Sequence, residues 1–378
     1  MLPVEPQTIE FDEQLAVAGA SYDRAQVAAI YCIHGTFVGN DVLGLLTELS
    51  RFAPGISRAL SRCGKRVVDL FTGEAGNYTG EFTTSMEAGL GAGAQRAIPV
   101  RLFHWSSQNN HIARADGAIR LIAELARLAN ELESVKLGPS KQDPAKSATA
   151  DPRRILLWAH SHGGNVLALV TQLLGADLVA RDEFFEAARC YYQPWLRQTV
   201  DMPVWQQVRE LLDDASHPLR RLELDLVTFG TPIRYGWNAK GYANLLHFIH
   251  HRPPPRGAEY SAPVPLELLR ARKALDGDYV QQIGISGTNF MPLPLAMRTL
   301  LADWRLDKLL EYDVARESIL TRLRHGQRVP DEGTTLLVDY QGIHPRVYRH
   351  IAGHGLYTRR KWLPFHCREI AERFYGGS

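Results

Sequence analysis

Residues 155–166 read Ile-Leu-Leu-Trp-Ala-His-Ser-His-Gly-Gly-Asn-Val, and this stretch decides the fold of the chain. An apolar run typical of a buried strand stops at Ala-His-Ser-His-Gly, and apolar residues then return at helical spacing. The pattern predicts a strand, a tight turn and a helix, with Ser161 at the apex of the turn. Such a turn lifts a serine hydroxyl out of the sheet, as a nucleophile requires. Ala159 and Gly163 supply the small flanking residues that the turn needs.

The same tripeptide Ser-x-Gly also fits an ordinary strand-to-helix turn with a capping serine. Whether Ser161 is a nucleophile therefore depends on whether the rest of the chain supplies a base, an acid and an oxyanion site.

Apolar runs and helical patterns alternate along the chain. Strands are predicted at 27–33, 66–71, 98–105, 222–229, 244–249 and 335–338, and helices at 41–49, 111–135 and 298–324. This alternation predicts an α/β fold, with a mainly parallel sheet that helices cover on both sides. Because 45% of the 378 residues are hydrophobic, one large domain over 1–378 has enough apolar material for its core.

Two segments interrupt the alternation. Residues 136–153 combine Pro, Gly, Ser and mixed charges without any hydrophobic period, which predicts a surface loop. Residues 176–220 carry many large apolar side chains between charges, among them Phe184, Phe185 and Trp195. We interpret this second segment as an inserted helical cap or lid, as enzymes that act on apolar substrates often carry. The alternative is that its helices pack permanently on the main core.

The overall composition limits which cellular compartments and which partners are expected. Lys plus Arg (43) against Asp plus Glu (41) leave a formal charge of +2, which gives no reason to expect a nucleic acid as partner. No basic and apolar leader and no spanning apolar run occur, so neither a secretory signal peptide nor a transmembrane helix is predicted. We therefore expect a cytoplasmic protein. Export by a machine that needs no cleaved signal stays open.

Cysteine and histidine spacing predicts neither a disulfide frame nor a metal site. The cysteines are far apart and are expected to be buried thiols in a reducing compartment. They are Cys32, Cys63, Cys190 and Cys367. His247, His250 and His251 lie on or beside one predicted strand, whose alternate residues face opposite sides, and no acidic or cysteine ligand stands at suitable spacing. We expect no metal and no cofactor.

Four motifs follow one another in an order that resembles the lipase-like branch of the α/β-hydrolase superfamily. They are Ile33-His34-Gly35-Thr36-Phe37, Ala159-His160-Ser161-His162-Gly163-Gly164-Asn165, Val227-Thr228-Phe229-Gly230-Thr231-Pro232 and Gly353-His354-Gly355-Leu356-Tyr357. They spread over most of the chain and point to the fold more strongly than to a substrate. The resemblance implies ester hydrolysis through an acyl-enzyme intermediate, without a cofactor.

The resemblance implies a role for each motif. Ser161 is the expected nucleophile, and His354, which lies between two glycines after the last predicted strand, is the expected base. In serine hydrolases one oxyanion donor is the N–H after the nucleophile, and the other comes from the loop after an early strand. Here these donors are the main-chain N–H groups of His162 and of Phe37 or Thr36.

The acid is the least determined member of the expected triad. In many related lipases it follows the penultimate strand and precedes an apolar residue by two positions, a pattern that Asp278-Tyr279-Val280 fits. If the strand at 244–249 is the penultimate one, the acid position instead falls near His250 or His251. Asp278 would then reach the site from a longer connection. Asp339 and Asp276 are the alternatives.

These features together predict a serine esterase or lipase whose substrate is a small-molecule or lipid ester. A phospholipase delivered to the membranes of other cells would share this chemistry, and a mobile lid would bring transient contact with a membrane surface. The alternative from another class is a non-catalytic protein that keeps the fold and binds an apolar ligand or a protein partner through its aromatic insertion. The sequence contains no indication of the oligomeric state.

Overall fold

The structure is a computed structural model that describes residues 1–36, 74–136, 153–194, 200–232, 234–254, 256–262, 270, 273–285, 289–292, 296–310 and 328–376. The predicted helix at 41–49, the predicted strand at 66–71 and nearly all of the predicted loop at 136–153 lie outside these residues. Of that loop, Lys136 ends a helix and Arg153 begins a strand.

Among the described residues, six strands form one sheet in the order β2-β1-β3-β4-β5-β6, and each neighbouring pair is parallel. The strands are β1 Val27–Ile33, β2 Val100–Phe103, β3 Arg153–His160, β4 Leu222–Phe229, β5 Asn244–His250 and β6 Thr334–Val338. The predicted α/β class and its parallel sheet are confirmed. Because all strands run the same way, their carboxyl ends meet at one edge of the sheet.

Helices cover both faces of this sheet. Those in the described residues are α1 Ile9–Arg24, α2 Gly80–Gly91, α3 His111–Lys136, α4 His162–Gly175, α5 Leu178–Tyr192, α6 Pro203–Asp213, α7 Tyr279–Ile285, α8 Met297–Leu310 and α9 Leu363–Ile370. Short 3₁₀ turns follow at Pro218–Arg221, Ala239–Gly241, Val347–Arg349 and Arg360–Trp362, and a π turn at Ala371–Tyr375. Helices α3, α4, α5, α6 and α8 pack on one face, and α1, α2 and α9 pack on the other.

The central strand β3 shows why an unbroken apolar run was needed. Successive side chains of a strand point to opposite faces, so a strand between two helical layers must be apolar at every position. Leu157 and Ala159 join the core cluster on the α4 side, whereas Leu156 and Trp158 join the cluster on the α1 side. All four side chains are fully buried.

The aromatic insertion contributes to the first of these clusters. Phe184 and Phe185 on α5 are buried against Trp205 of α6, whose ring lies 6.0 Å from that of Phe184. The Trp205 indole N–H donates to Asp116 on α3 at 2.8 Å. In this conformation the buried side chains of the two helices belong to that core cluster. Trp195 lies outside the described residues.

None of the helices in the described ranges combines the length and the apolar character that crossing a bilayer requires. Cys32, Cys190 and Cys367 are buried in the core, and Cys63 lies outside the described residues.

Candidate active site

Ser161 lies at the carboxyl end of β3, in the sharp turn that leads into α4. Its φ of 53° and ψ of −132° fall in a region that residues with a Cβ rarely adopt. Such a conformation costs about 1–3 kcal/mol and persists only where surrounding contacts enforce it. The Ser161 N–H donates to the Phe229 carbonyl at 2.9 Å, and the Thr231 hydroxyl donates to the Ser161 carbonyl at 2.8 Å.

The turn is packed so closely that it requires glycine on two sides. A Cβ at Gly163 would lie 2.8 Å from the carbonyl oxygens of both Ile33 and His34, at the end of β1. A Cβ at Gly35 would lie 2.6 Å from the Cβ of Ser161. The loop after β1 therefore lies directly against the serine, and its backbone can approach because Gly35 has no side chain.

Asp278 and His354 form a buried pair at the same edge of the sheet. His354 Nδ1 lies 2.7 Å from Asp278 Oδ2, and the two residues are 6% and 0% exposed. Since a carboxylate only accepts hydrogen bonds, this contact places the proton of a neutral His354 on Nδ1 and leaves Nε2 as an acceptor. A base that must accept a serine proton needs this tautomer.

Asp278 reaches the pair from a long connection after β5. Its N–H donates to the carbonyl of His250, the last residue of β5, at 2.9 Å. Burial raises the pKa of the Asp278 carboxyl, but the charge and hydrogen bond of His354, the Gln281 N–H and the charge of Arg328 outweigh burial and lower the pKa overall. Asp278 is therefore ionised at neutral pH.

The loop that carries His354 is a tight turn fastened to the Asp278 segment. Ile351, Ala352 and Gly353 all have positive φ, at 48°, 50° and 94°. The Tyr279 N–H donates to the Ala352 carbonyl at 3.2 Å, next to Asp278. The glycine before His354 thus provides a backbone conformation that brings the imidazole back to the sheet edge.

His160 joins this loop to the nucleophile turn. Its Nε2–H donates to the His354 carbonyl at 2.9 Å, and the two rings are 4.5 Å apart. Burial lowers the pKa of His160 to about 3, so this ring is neutral at physiological pH. Ser161 follows His160 directly. No hydrogen bond joins the Ser161 hydroxyl to His354 within the described residues, a separation common before a substrate binds.

The expected oxyanion donors belong to two segments, the start of α4 and the loop after β1. His162 is the first residue of α4, so its N–H has no acceptor within the helix. Thr36 ends the described part of the loop after β1, and Phe37 lies outside the described residues. The close approach of Gly35 to Ser161 shows that this loop lies next to the serine.

The alternative acids are engaged elsewhere. Asp339 pairs with Arg252 and is 41% exposed. Asp276 accepts from Arg270 and from the hydroxyl of Tyr279. Neither carboxylate is hydrogen-bonded to His354 within the described residues.

Two residues near the acid had no role assigned to them from the sequence. The Tyr357 hydroxyl donates to Asp278 Oδ2 at 3.0 Å and accepts from the His250 N–H at 2.8 Å. Arg328 is fully buried and donates to the Asp276 carbonyl at 2.7 Å and to Gln282 Oε1 at 3.0 Å. Tyr357 lies three residues after His354, and this spacing was the only signal for it.

The three histidines around β5 have separate partners. His247 contacts the Thr228 hydroxyl at 2.6 Å, His250 contacts the Val338 carbonyl at 3.1 Å, and His251 contacts the Glu259 carbonyl. Within the described part of the chain, no three His, Cys, Asp or Glu side chains are grouped as a metal site requires.

Comparisons of the chain with protein-family models, with curated proteins and with solved structures found no match in any of the three.

Proposed function

We propose that the chain is a serine hydrolase of the α/β-hydrolase type that cleaves carboxylic esters. The observation that carries this proposal is the strained Ser161 turn, attached through His160 to a buried pair of Asp278 and His354. A strained residue that surrounding contacts hold in place is most common at functional sites. A structural serine would gain nothing from an adjacent buried carboxylate–imidazole pair.

In the proposed reaction, the Ser161 oxygen attacks the ester carbonyl carbon while Nε2 of His354 takes the hydroxyl proton. Asp278 keeps the other ring proton on Nδ1 and stabilises the imidazolium. The His162 N–H and an N–H of the loop after β1 stabilise the oxyanion. The intermediate then expels the alcohol, which receives the proton from His354. Water repeats these steps on the acyl-enzyme and releases the acid.

The order of the chain supports the fold assignment. The nucleophile follows β3, the acid is bonded to the end of β5, and the base follows β6, so all three come from the edge at which the strands end. Residues 176–220 remain a proposed cap over this edge. A lipid ester, including a phospholipid, and a small soluble ester are both compatible with the chemistry.

Hydrolysis of 4-nitrophenyl butyrate by the parent protein and by Ser161→Ala tests the proposal. Loss of a serine nucleophile lowers kcat by about 10⁴–10⁶-fold. Ser134→Ala is the matched control, because Ser134 is exposed on α3 and its hydroxyl donates to the Glu131 carbonyl, far from the proposed site in sequence. We expect turnover by the parent and by Ser134→Ala alone. Equal turnover by Ser161→Ala would contradict the proposal, and no turnover by any of the three would favour the non-catalytic alternative.

A further inference from the structure

A buried arginine lies at the start of α3, on the sheet edge that carries Ser161. Arg114 is fully buried, and its guanidinium donates to three neutral oxygens. These are the Tyr235 hydroxyl at 2.8 Å, Asn109 Oδ1 at 3.0 Å and Asn289 Oδ1 at 2.7 Å. Because a guanidinium has five N–H groups, these three bonds leave two N–H groups that no acceptor in the described part of the chain takes.

A second buried arginine lies beside it. Arg234 is 4% exposed and precedes Tyr235, whose ring centroid is 5.5 Å from the Arg114 guanidinium carbon. His111 contacts the same Tyr235 hydroxyl at 2.8 Å. Burial, together with the charges of Arg114 and Arg234, lowers the pKa of His111 to about 4, so the two arginines provide the positive charge here at neutral pH.

The segment that precedes Arg234 is hydrogen-bonded to the helix that follows the nucleophile turn. Asn165 on α4 donates to Nδ1 of His162 at 3.0 Å and to the Pro232 carbonyl at 3.0 Å, two residues before Arg234. His162 follows Ser161. Burial lowers the pKa of His162, and electrostatic interactions of its ring with Arg114, Arg234, His354 and His111 add to this effect. The His162 ring therefore lies within electrostatic range of both the proposed base and the two arginines.

Acidic groups lie nearby and offset part of the positive charge. Asp303 of α8 accepts from the Ile112 N–H at 2.9 Å, and burial raises the pKa of its carboxyl to about 6, although the charge of Arg114 opposes that rise. Asp307 lies 3.3 Å from Nε2 of His111. Within the described residues the hydrogen bonds of Arg114 go to uncharged oxygens. An anionic ligand would give this buried guanidinium a charge-assisted hydrogen bond that those oxygens do not.

We propose that Arg114 and Arg234 bind an anionic group, a phosphate or a carboxylate, on the ester that Ser161 cleaves. This inference rests on the proposed function and adds a substrate class to it: esters with a negative charge near the scissile bond. Guanidinium groups suit this task because their fork of donors matches the oxygens of phosphate and carboxylate. The alternative is that Arg114 only fastens residues 109, 235 and 289 together.

Two esters of matched length test the inference: 4-nitrophenyl hexanoate and the mono-4-nitrophenyl ester of adipic acid, which carries a terminal carboxylate. The quantity measured is the ratio of kcat/KM for the adipate ester to kcat/KM for the hexanoate ester, after subtraction of spontaneous hydrolysis. We expect a ratio above one for the parent protein. Arg234→Gln should lower it about tenfold or more, the effect of losing a hydrogen bond to a charged group. Arg234→Lys should restore part of it.

Arg127→Gln is the matched control, because Arg127 is an exposed arginine on the same helix that pairs with Glu124 and Glu131. Arg127→Gln should give the same ratio of kcat/KM for the adipate ester to kcat/KM for the hexanoate ester as the parent. Release of fatty acid from dioleoylphosphatidylglycerol vesicles, measured on the same variants, identifies the source of the anion. Dependence on Arg234 in the vesicles indicates a phospholipid, and dependence with the adipate ester alone indicates a soluble acid.

Two results would overturn the inference: a parent ratio of one or less together with vesicle hydrolysis that does not depend on Arg234, or an Arg234→Gln variant that lowers kcat/KM for both esters equally. The second result is the one expected of a structural clamp. Failure of the proposed function looks different, because then the parent would cleave neither ester, or Ser161→Ala would cleave both as well as the parent.

Discussion

Asp278 Oδ2 lies 2.7 Å from Nδ1 of His354, although 76 positions of sequence separate the two residues. Both are buried. The N–H of Asp278 is bonded to the end of β5, and the N–H of His354 is bonded to Ile351 within its own turn. This relationship distinguishes Asp278 from Asp339 and Asp276 as the partner of His354. It also makes the acid the most direct point at which to test the proposed catalytic unit.

Asp278→Asn should lower kcat for ester hydrolysis by about 10⁴-fold, because an amide facing Nδ1 favours the wrong tautomer of His354. Asp339→Asn is the control of the same chemistry, since Asp339 pairs with Arg252 at the surface. It should retain kcat within about twofold, as most surface substitutions have small effects. Rates with 4-nitrophenyl butyrate check both variants. A large loss in Asp339→Asn with little loss in Asp278→Asn would reverse the assignment.

Tyr357→Phe should lower kcat about tenfold and leave KM nearly unchanged. The substitution removes a hydrogen bond to an ionised carboxylate, an interaction worth about 1.5–3 kcal/mol, and it leaves the buried His250 N–H without its acceptor. Steady-state kinetics with thermal unfolding of the same samples measure both effects. If Tm falls and kcat stays at the parent value, Tyr357 supports the fold but does not position Asp278.

Gly163→Ala should destabilise the protein by about 1–3 kcal/mol, because the added methyl group would overlap the carbonyl oxygens at the end of β1. Gly91→Ala provides the comparison, since nothing lies within 4 Å of a Cβ at that position in α2. It should be neutral or stabilising by up to about 1 kcal/mol. Urea unfolding of the two variants gives these values. Equal stabilities would mean that the turn has more room than the structure indicates.

Stability should fall between pH 7 and pH 5. Burial lowers the pKa of His247 and His250 to about 4 and that of His366 to about 3. In the unfolded chain the pKa of these histidines is about 6.5. Between pH 7 and pH 5 the unfolded state therefore binds more protons than the folded state. The free energy of unfolding therefore decreases as pH falls, by at most about 1.4 kcal/mol per pH unit for each histidine. Urea unfolding at pH 7.0, 6.0 and 5.0 measures this slope, and a flat profile would show that these rings are protonated in the folded state.

The sheet was predictable from the sequence in those strands that are buried on both faces, because such strands consist mainly of apolar residues. Strands β3 and β4 are only partly buried at their first two residues and are then buried to their ends, which is why their largely apolar runs and the turn at Ser161 were visible. Strand β2 is shorter than its predicted range of 98–105, since Ile98 is buried although it precedes the strand. An apolar run in the sequence indicates which residues are buried. Buried residues can continue beyond the residues that are hydrogen-bonded to the neighbouring strand.

The candidate site was less predictable than the sheet. Asp278 is bonded to His250 at the end of β5, 28 positions earlier in sequence, and no periodic pattern in the sequence indicates that contact. Arg114 is part of an amphipathic helix in which charged residues are expected to face water. Its burial depends on Tyr235 and Asn289, which lie 121 and 175 positions away in sequence, together with the nearby Asn109.

The central claim is that Ser161 is an activated nucleophile, and mass spectrometry of the protein after reaction with a fluorophosphonate tests it most directly. Only a serine with a base and an oxyanion site reacts quickly with such a reagent. We expect one covalent adduct, on the peptide that contains Ser161, formed much faster on the parent than on Asp278→Asn and absent after unfolding in urea. An unmodified Ser161 in the folded parent, or an adduct on another serine that persists in Ser161→Ala, would contradict the claim.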